Sequence, residues 1–316
     1  KEGWGKILFQ NGDQYIGNFS QNQMHGKGTM LWVNGDSYQG EFWENSIDGT
    51  GVKCNIETGD RLEGTFVNGL CQGWTKKQFG CGDRFEGYYK NDRRDGYGTY
   101  FWSNGDVYKG EFSNNHTHGI GTKVFGTEGR YRTYKGEWKL GLASGKGVRY
   151  FPNGDYHEGH YHNDRRHGFG VYTWRNGDHF VGQFNEGEMS GPGVKESTNG
   201  DLYEGEWKYS KANGKGMKVF WHGDVHIGDY KDDFREGFGV YKYENGDEYE
   251  AFWKKGTQGI EQELSGQKIT SSTGRGSTGN VMGLEFKLTR ELQLHVGNCG
   301  STACERLVVS LRMENK

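Results

Sequence analysis

"NGDVYKGEF", residues 104–112, returns in altered form along the whole chain: "NGDQYIGNF" at 11–19, "NGDSYQGEF" at 34–42, "NGDLYEGEW" at 199–207 and "NGDEYEAFW" at 245–253. Aligned on the Asp, the anchors are Asp13, Asp36, Asp60, Asp83, Asp106, Arg132, Asp155, Asp178, Asp201, Asp224 and Asp247. Successive anchors stand 23 residues apart, with one spacing of 24 and one of 26, the latter from an insertion in "FGTEGRYRTYKGEW". A fixed period of this size marks a stacked array of small units, none able to bury its own apolar face alone.

One unit can be read from its anchor. Two residues on stands an aromatic, most often Tyr (Tyr15, Tyr38, Tyr108, Tyr203); four on stands Gly (Gly17, Gly40, Gly110, Gly205); six on stands a ring (Phe19, Phe42, Phe112, Trp207). Side chains alternate along a strand, so positions 2, 4 and 6 share one face, which reads ring, gap, ring. A strand glycine marks close approach of another group, and a ring from the next strand is the expected visitor. Gly-x-Gly follows at positions 13 and 15, as in Gly26/Gly28 and Gly119/Gly121. A β-branched residue at 16 favours a second strand. A ring often stands at position 19, as in Trp102 and Trp174, and Asn-Gly, a strong hairpin signal, leads into the next unit.

Composition agrees with an unusual architecture. Of 316 residues 56 are Gly and only 2 Pro; aromatics reach 15 % while the whole apolar set is 32 %. Such a chain cannot fill a thick aliphatic core, but it can bury rings against glycines in a thin layer. Net charge is −3, with 39 basic and 42 acidic residues, which does not point to a nucleic-acid partner. No apolar run approaches a membrane span, and no signal peptide is visible. Five cysteines, an odd number, do not make a disulfide scaffold and read as reduced thiols of an intracellular protein.

Y-x-G-x-[FW], a polar turn and G-x-G at a 23-residue period resemble the MORN repeat over residues 1 to about 256. The resemblance implies an all-β fold: an elongated single-layer antiparallel β-meander of tandem hairpins. Eleven hairpins at ~4.8 Å per strand would span roughly 100 Å. The sequence departs from the pattern at Gly73-Trp74-Thr75, which lacks the second Gly, at His157 and His226 in place of the position-2 Tyr, and at Ala251 in place of Gly. Ala251 places the end of the array near 256. Gly3-Trp4-Gly5 and Phe9 read as the second strand of a unit whose first half is missing, so the natural chain is expected to continue upstream of Lys1. "SGQKITSSTGRGSTG" puts a Ser/Thr/Gly linker over 257–282, ahead of a C-terminal segment, 283–316, whose alternation suits a strand or a helix.

Motifs for chemistry are weak. "GLASGKG" (141–147) falls short of a phosphate loop in spacing and lacks its hydroxyl, and its glycines belong to the repeat. Histidines at 157, 160, 162 and 167 could suggest a metal, yet His25, His118 and His167 share one repeat slot. Cys299 and Cys304 have no second pair, and there is no nucleophile elbow or triad. The reading is no enzyme, no cofactor and no metal.

Two surfaces suit partners. With no second layer over the sheet, Trp102, Tyr108, Phe112, Trp174, Phe180 and Phe184 are expected to line an open aromatic strip fit for a helical segment. "NDRRDG" (91–96) and "NDRRHG" (163–168), three units apart, place Arg93, Arg94, Arg165 and Arg166 on polar turns as electrostatic contacts, with "DDFREG" (232–237) a third relative. What the resemblance implies for so long an array is a cytoplasmic scaffold for axonemal or cytoskeletal proteins, of the ciliary radial-spoke-head type. The alternatives are a membrane or phosphoinositide contact module and a regulatory arm of a larger enzyme.

Overall fold

The structure, a computed structural model, describes residues 1–126 and 132–258. Strand β1 (Gly3–Leu8) pairs with β2 (Gln14–Ser20), which forms the first whole hairpin with β3 (Gln23–Leu31). The scheme repeats as far as Glu248–Lys254, which pairs with Thr257–Gln258. Each strand hydrogen-bonds to those before and after it, so the described residues form one open antiparallel meander, all-β and without a helix. Most of the expected linker and all of the C-terminal segment lie outside the described residues.

Within a hairpin, Tyr15 faces Met30, Gly17 faces Gly28 and Phe19 faces Met24; between hairpins, Met30 faces Tyr38, Gly28 faces Gly40 and Gly26 faces Phe42. The jump from Gly28 to Met24 opposite Gly17 and Phe19 is a bulge in the second strand. Gly26 takes φ +68° there, which explains the first glycine of G-x-G. The tight two-residue turn is not the Asn-Gly of the sequence reading. It lies at the polar tips, where Gln21-Asn22 and Asn91-Asp92 both take positive φ, the geometry that fits strand twist. Asn-Gly instead closes a wider turn in which Phe9 N–H donates to the Asp13 carbonyl (2.8 Å).

The anchor Asp is a latch. Its Oδ1 accepts the backbone N–H twenty residues on, in the next unit's turn: Val33 to Asp13 (2.9 Å), Ser103 to Asp83 (2.8 Å), Thr198 to Asp178 (2.8 Å). That N–H donated by Thr198 holds the Asp178 carboxyl below its ordinary range.

The position-4 glycine is covered, but not by a ring from the next strand. The ring comes from position 2 of the same strand and lies down across two glycines: Tyr108 crowds both Gly110 and its partner Gly121. Its hydroxyl then donates to the Glu111 carbonyl (2.9 Å). Lying flat, each position-2 ring meets the position-6 ring of its own unit and that of the next edge-to-face. Tyr108 stands 5.1 Å from Phe112 and 5.2 Å from Trp138; Tyr134 stands 5.2 Å from Trp138 and 5.0 Å from Tyr161. Such pairs add about 0.5–1.5 kcal/mol each to the burial of the rings. The zipper breaks at the unit anchored on Asp60, where position 2 is Leu62. There Thr75, buried, replaces the glycine of position 15. A smaller side chain over the sheet leaves room for a larger one in it, so the lost glycine noted in the sequence is half of a size exchange.

Candidate functional site

The six rings expected on an open strip divide into two groups. Tyr108, Phe112, Phe180 and Phe184 are buried members of the zipper. The expectation that they line a surface is therefore corrected: glycines let the rings lie down in a layer that shields itself. Trp102 and Trp174 are half-buried and pack against that layer.

The arginines divide as well. Arg93 and Arg165 are exposed at the tips, Arg93 donating to Asn114 Oδ1 (3.1 Å) and Arg165 pairing with Glu186 (2.5 Å). Arg94 and Arg166 turn inward onto the rings, which corrects their reading as purely electrostatic turn residues. The Arg94 guanidinium lies 4.9 Å from the Tyr100 ring and 5.7 Å from Phe112, and donates to the Asn115 carbonyl of the next unit (3.0 Å). Arg166 lies 4.7 Å from Tyr172 and 5.3 Å from Phe184, and donates to the Gly187 carbonyl. Burial lowers its affinity for a proton. Arg235, which sequence reasoning did not single out, does the same on Tyr241 (5.5 Å) and Trp253 (3.7 Å), with the Gly256 carbonyl at 3.1 Å. Each is a clamp from one unit to the next.

These clamps reveal a second, longer period. The units anchored on Asp83, Asp155 and Asp224 alone combine Tyr at position 6 (Tyr89, Tyr161, Tyr230), Arg at 11 and Tyr at 17 (Tyr100, Tyr172, Tyr241). In each, the position-17 hydroxyl donates to the anchor Asp at 2.6 Å. In intervening units a Lys at position 17 takes over, as Lys77 on Asp60 (2.7 Å) and Lys123 on Asp106 (3.1 Å). Lys123 also lies over Trp102 (4.3 Å) and Lys195 over Trp174 (4.9 Å). The near copies "NDRRDG" and "NDRRHG" were the visible trace of this three-unit pattern.

The opposite, outer face carries rings that the sequence reading passed over. Trp74, Tyr88 and Tyr97 stand on three successive strands, exposed at 50, 49 and 47 %, with Trp74 and Tyr88 ring centroids 5.5 Å apart. They occupy position 14 of the second strand and position 5 of the first, both facing away from the zipper, whose residues are even-numbered on the first strand and odd-numbered on the second, and Phe169 and Phe238 recur at position 14 three and six units on. A search for rings at position 5 of the first strand and position 14 of the second would have found them. His157 and His226 fill position-2 slots and are fully buried, each sharing a hydrogen bond through Nδ1 with a Tyr hydroxyl (Tyr161, 2.8 Å; Tyr230, 2.7 Å). Desolvation lowers their pKa to about 3 and about 4.

Fold and surface together define a class: a linear array of β-hairpins, zipped by rings on one face and bearing uncovered rings on the other. The chain belongs to the MORN repeat family, whose model matches residues 15–37, 63–73, 85–107, 108–130, 134–156, 157–179, 180–202, 203–220 and 226–248. Through the unmatched 38–62 the same hairpin register continues, with Gly40 opposite Gly51. MORN repeats are generally protein- or membrane-binding scaffold modules, and proteins built of them are typically non-catalytic. A comparison with curated proteins finds no match. Solved structures that share local likeness include the SAS-4 (dCPAP) TCP domain in complex with a proline-rich motif of Ana2 (dSTIL) of Drosophila melanogaster. That likeness has 12 % identity and a TM-score of 0.29 over 65 % of this chain and 90 % of that one. Another is a streptogramin B lyase, with 13 % identity and a TM-score of 0.14 over 79 % and 83 % of the two chains. At such scores neither likeness carries an argument.

Proposed function

We propose that this chain is a non-catalytic scaffold that holds partner proteins along its outer face, in the ciliary axoneme or another part of the cytoskeleton. The observation that carries the reading is the row Trp74, Tyr88 and Tyr97, three half-exposed rings side by side on a sheet face that has no second layer among the described residues. Exposed contiguous rings mark interaction surfaces, and Tyr and Trp are the side chains most often found as hot spots. Strands repeat every ~4.8 Å and an α-helix turns every ~5.4 Å, so an amphipathic helix laid across the strands meets a ring at nearly every turn. The cytoskeletal setting rests on the resemblance of a long, uninterrupted array to radial-spoke-head-type proteins. Membrane contact is the second reading, drawn from the family's general behaviour; pairing of Arg165 with Glu186 weighs against it.

The test is affinity capture from cells with the intact chain and with Trp74→Ala/Tyr88→Ala/Tyr97→Ala, beside flotation with anionic vesicles. Loss of one defined protein set by the folded triple variant, without vesicle binding, is expected. Unchanged capture by that variant, or salt-sensitive vesicle binding with no protein captured, overturns the reading.

A further inference from the structure

On the zipper face, the two sets of residues expected separately from the sequence come together at one place. A shallow cavity of about 230 Å³ opens among Arg94, Trp102, Phe112, Thr117, Lys123 and Trp138. Position 11 of this unit, at the wall of the cavity, is the short Thr117. Three units on, the same walls recur: Arg166, Trp174, Phe184, Lys195 and Trp207 replace Arg94, Trp102, Phe112, Lys123 and Trp138. There the buried Met189 stands where Thr117 stands. Of the other lining residues Asn115, His116 and Gly141 become Gly187, Glu188 and Ser210, but the exchange of Thr117 for Met189 is the one that changes the length of a buried side chain.

Beside the opening stand polar groups that are not fully satisfied. The Thr117 hydroxyl is buried, with the residue 9 % exposed, and has no hydrogen-bond partner among the described residues. A buried hydroxyl without a partner is destabilising, and a ligand that accepts its proton removes that cost. The Arg94 guanidinium is half-buried, bonds only to the Asn115 side chain (3.4 Å) and carbonyl (3.0 Å), and pairs with no carboxylate among the described residues. The Lys123 ammonium is held at the wall by Asp106 and lies on Trp102. One uncompensated cation, one free hydroxyl and a floor of rings ask for an anion with an apolar stem.

We infer that this cavity is a receptor for a carboxylate side chain, Glu or Asp, of an acidic partner segment. The carboxylate would accept from the Arg94 guanidinium and, once a rotation about χ1 turns it to the cavity, from the Thr117 hydroxyl, while its methylenes rest against Trp102 and Trp138. Arg94 then acts both as a clamp between units and as the recognition cation, the guanidinium having donors to spare beyond those Asn115 uses. The inference rests on the scaffold reading only in taking the carboxylate from a protein; the cavity itself is tested without one.

The protein is labelled with 5-fluorotryptophan, and fluorine NMR follows Trp102 and Trp138 during titration with N-acetylglutamate α-amide. Parallel titrations use the neutral N-acetylglutamine α-amide and inorganic phosphate. A saturable shift at both tryptophans with the carboxylate alone, in the millimolar range, is expected. Thr117→Met, which copies the unit with Met189, should melt like the parent and abolish the shift. Met189→Thr should create a second response, at Trp174 and Trp207. Equal response to the glutamine analogue, or binding unchanged in Thr117→Met, overturns the site; tighter binding of phosphate overturns the carboxylate assignment. A chain that binds the probe while the outer-row variant captures every partner sinks the scaffold reading alone. Capture of partners by a chain blind to the probe sinks the cavity alone.

Discussion

Exchanging size between Tyr108 and Gly121 tests the packing rule on which the fold rests. A Cβ built on Gly121 meets Tyr108 and nothing else first: the hydroxyl oxygen is nearest, then Cζ at 2.5 Å and Cε2 at 2.6 Å. Gly121→Thr alone should therefore drive the ring out of its place and cost about 3 kcal/mol, the upper end of overpacking. Tyr108→Leu alone removes a fully buried ring and its hydrogen bond to Glu111, at about 2–4 kcal/mol. Combined, the two changes rebuild the Leu62/Thr75 arrangement of the unit anchored on Asp60, and the total should fall short of the sum by ~2 kcal/mol or more. Gly110 is the control. Its Cβ would meet the Tyr108 hydroxyl at 2.6 Å but also Gly121 Cα at 2.5 Å and the Ile120 carbonyl at 2.7 Å, backbone contacts that remain when the ring is removed. Tyr108→Leu should therefore not rescue Gly110→Val. The assay is denaturant or thermal unfolding of the cycle, with amide exchange at 107–125 as a local readout, since unfolding of an array need not be two-state. Additive effects of Tyr108→Leu and Gly121→Thr would refute the reasoning.

Three further outcomes follow from the site. Arg94→Met, Arg166→Met and Arg235→Met should each destabilise by about 1–3 kcal/mol through lost ring and carbonyl contacts, whereas Arg93→Ser and Arg165→Ser should stay within about 0.5 kcal/mol in thermal melts. Acid should loosen the array through His157 and His226. Their folded pKa values, about 3 and about 4, lie below the ordinary 6.5, so the stability they contribute is whole above pH 6.5 and lost as pH falls below it. At pH 5 this amounts to about 2 kcal/mol for each histidine. Melting at pH 7.5 and 5.0 should show the loss in the parent and not in His157→Phe/His226→Phe, the residue Phe85 already supplies in one unit. Trp74→Ala/Tyr88→Ala/Tyr97→Ala should leave the melting temperature nearly unchanged, because these rings pack on no second layer.

Much of the fold was legible because backbone periodicity writes itself directly into sequence. The glycines at positions 4, 13 and 15, the rings at 2 and 6 and the anchor Asp each meet the same demand in unit after unit. Which ring covers which glycine was not legible, since alternation gives the face of a side chain but not its tilt along the strand. The candidate surface was harder still. Positions 2 and 6 drew attention as the ring-rich face, yet the rings there bury one another, and the free ones, Tyr88 and Tyr97, sit beside Tyr89 and between Gly96 and Gly98, residues that the repeat already explains. Arg94 and Arg93 are adjacent and chemically identical; only the alternation of the strand, continued through the bulge, sends one onto Tyr100 and the other into solvent. The three-unit pattern needed the Arg–Tyr–Asp contacts before its three scattered positions could be seen as one feature.

The central claim, that this array holds proteins on its outer face, is tested most directly by a photo-crosslinking amino acid at position 88, irradiated in cells, with position 93 on the tip as comparison. The account predicts a discrete covalent adduct to a protein from position 88, weak or absent from position 93. Lipid adducts alone, or no adduct from position 88 beside a strong protein adduct from 93, would contradict it.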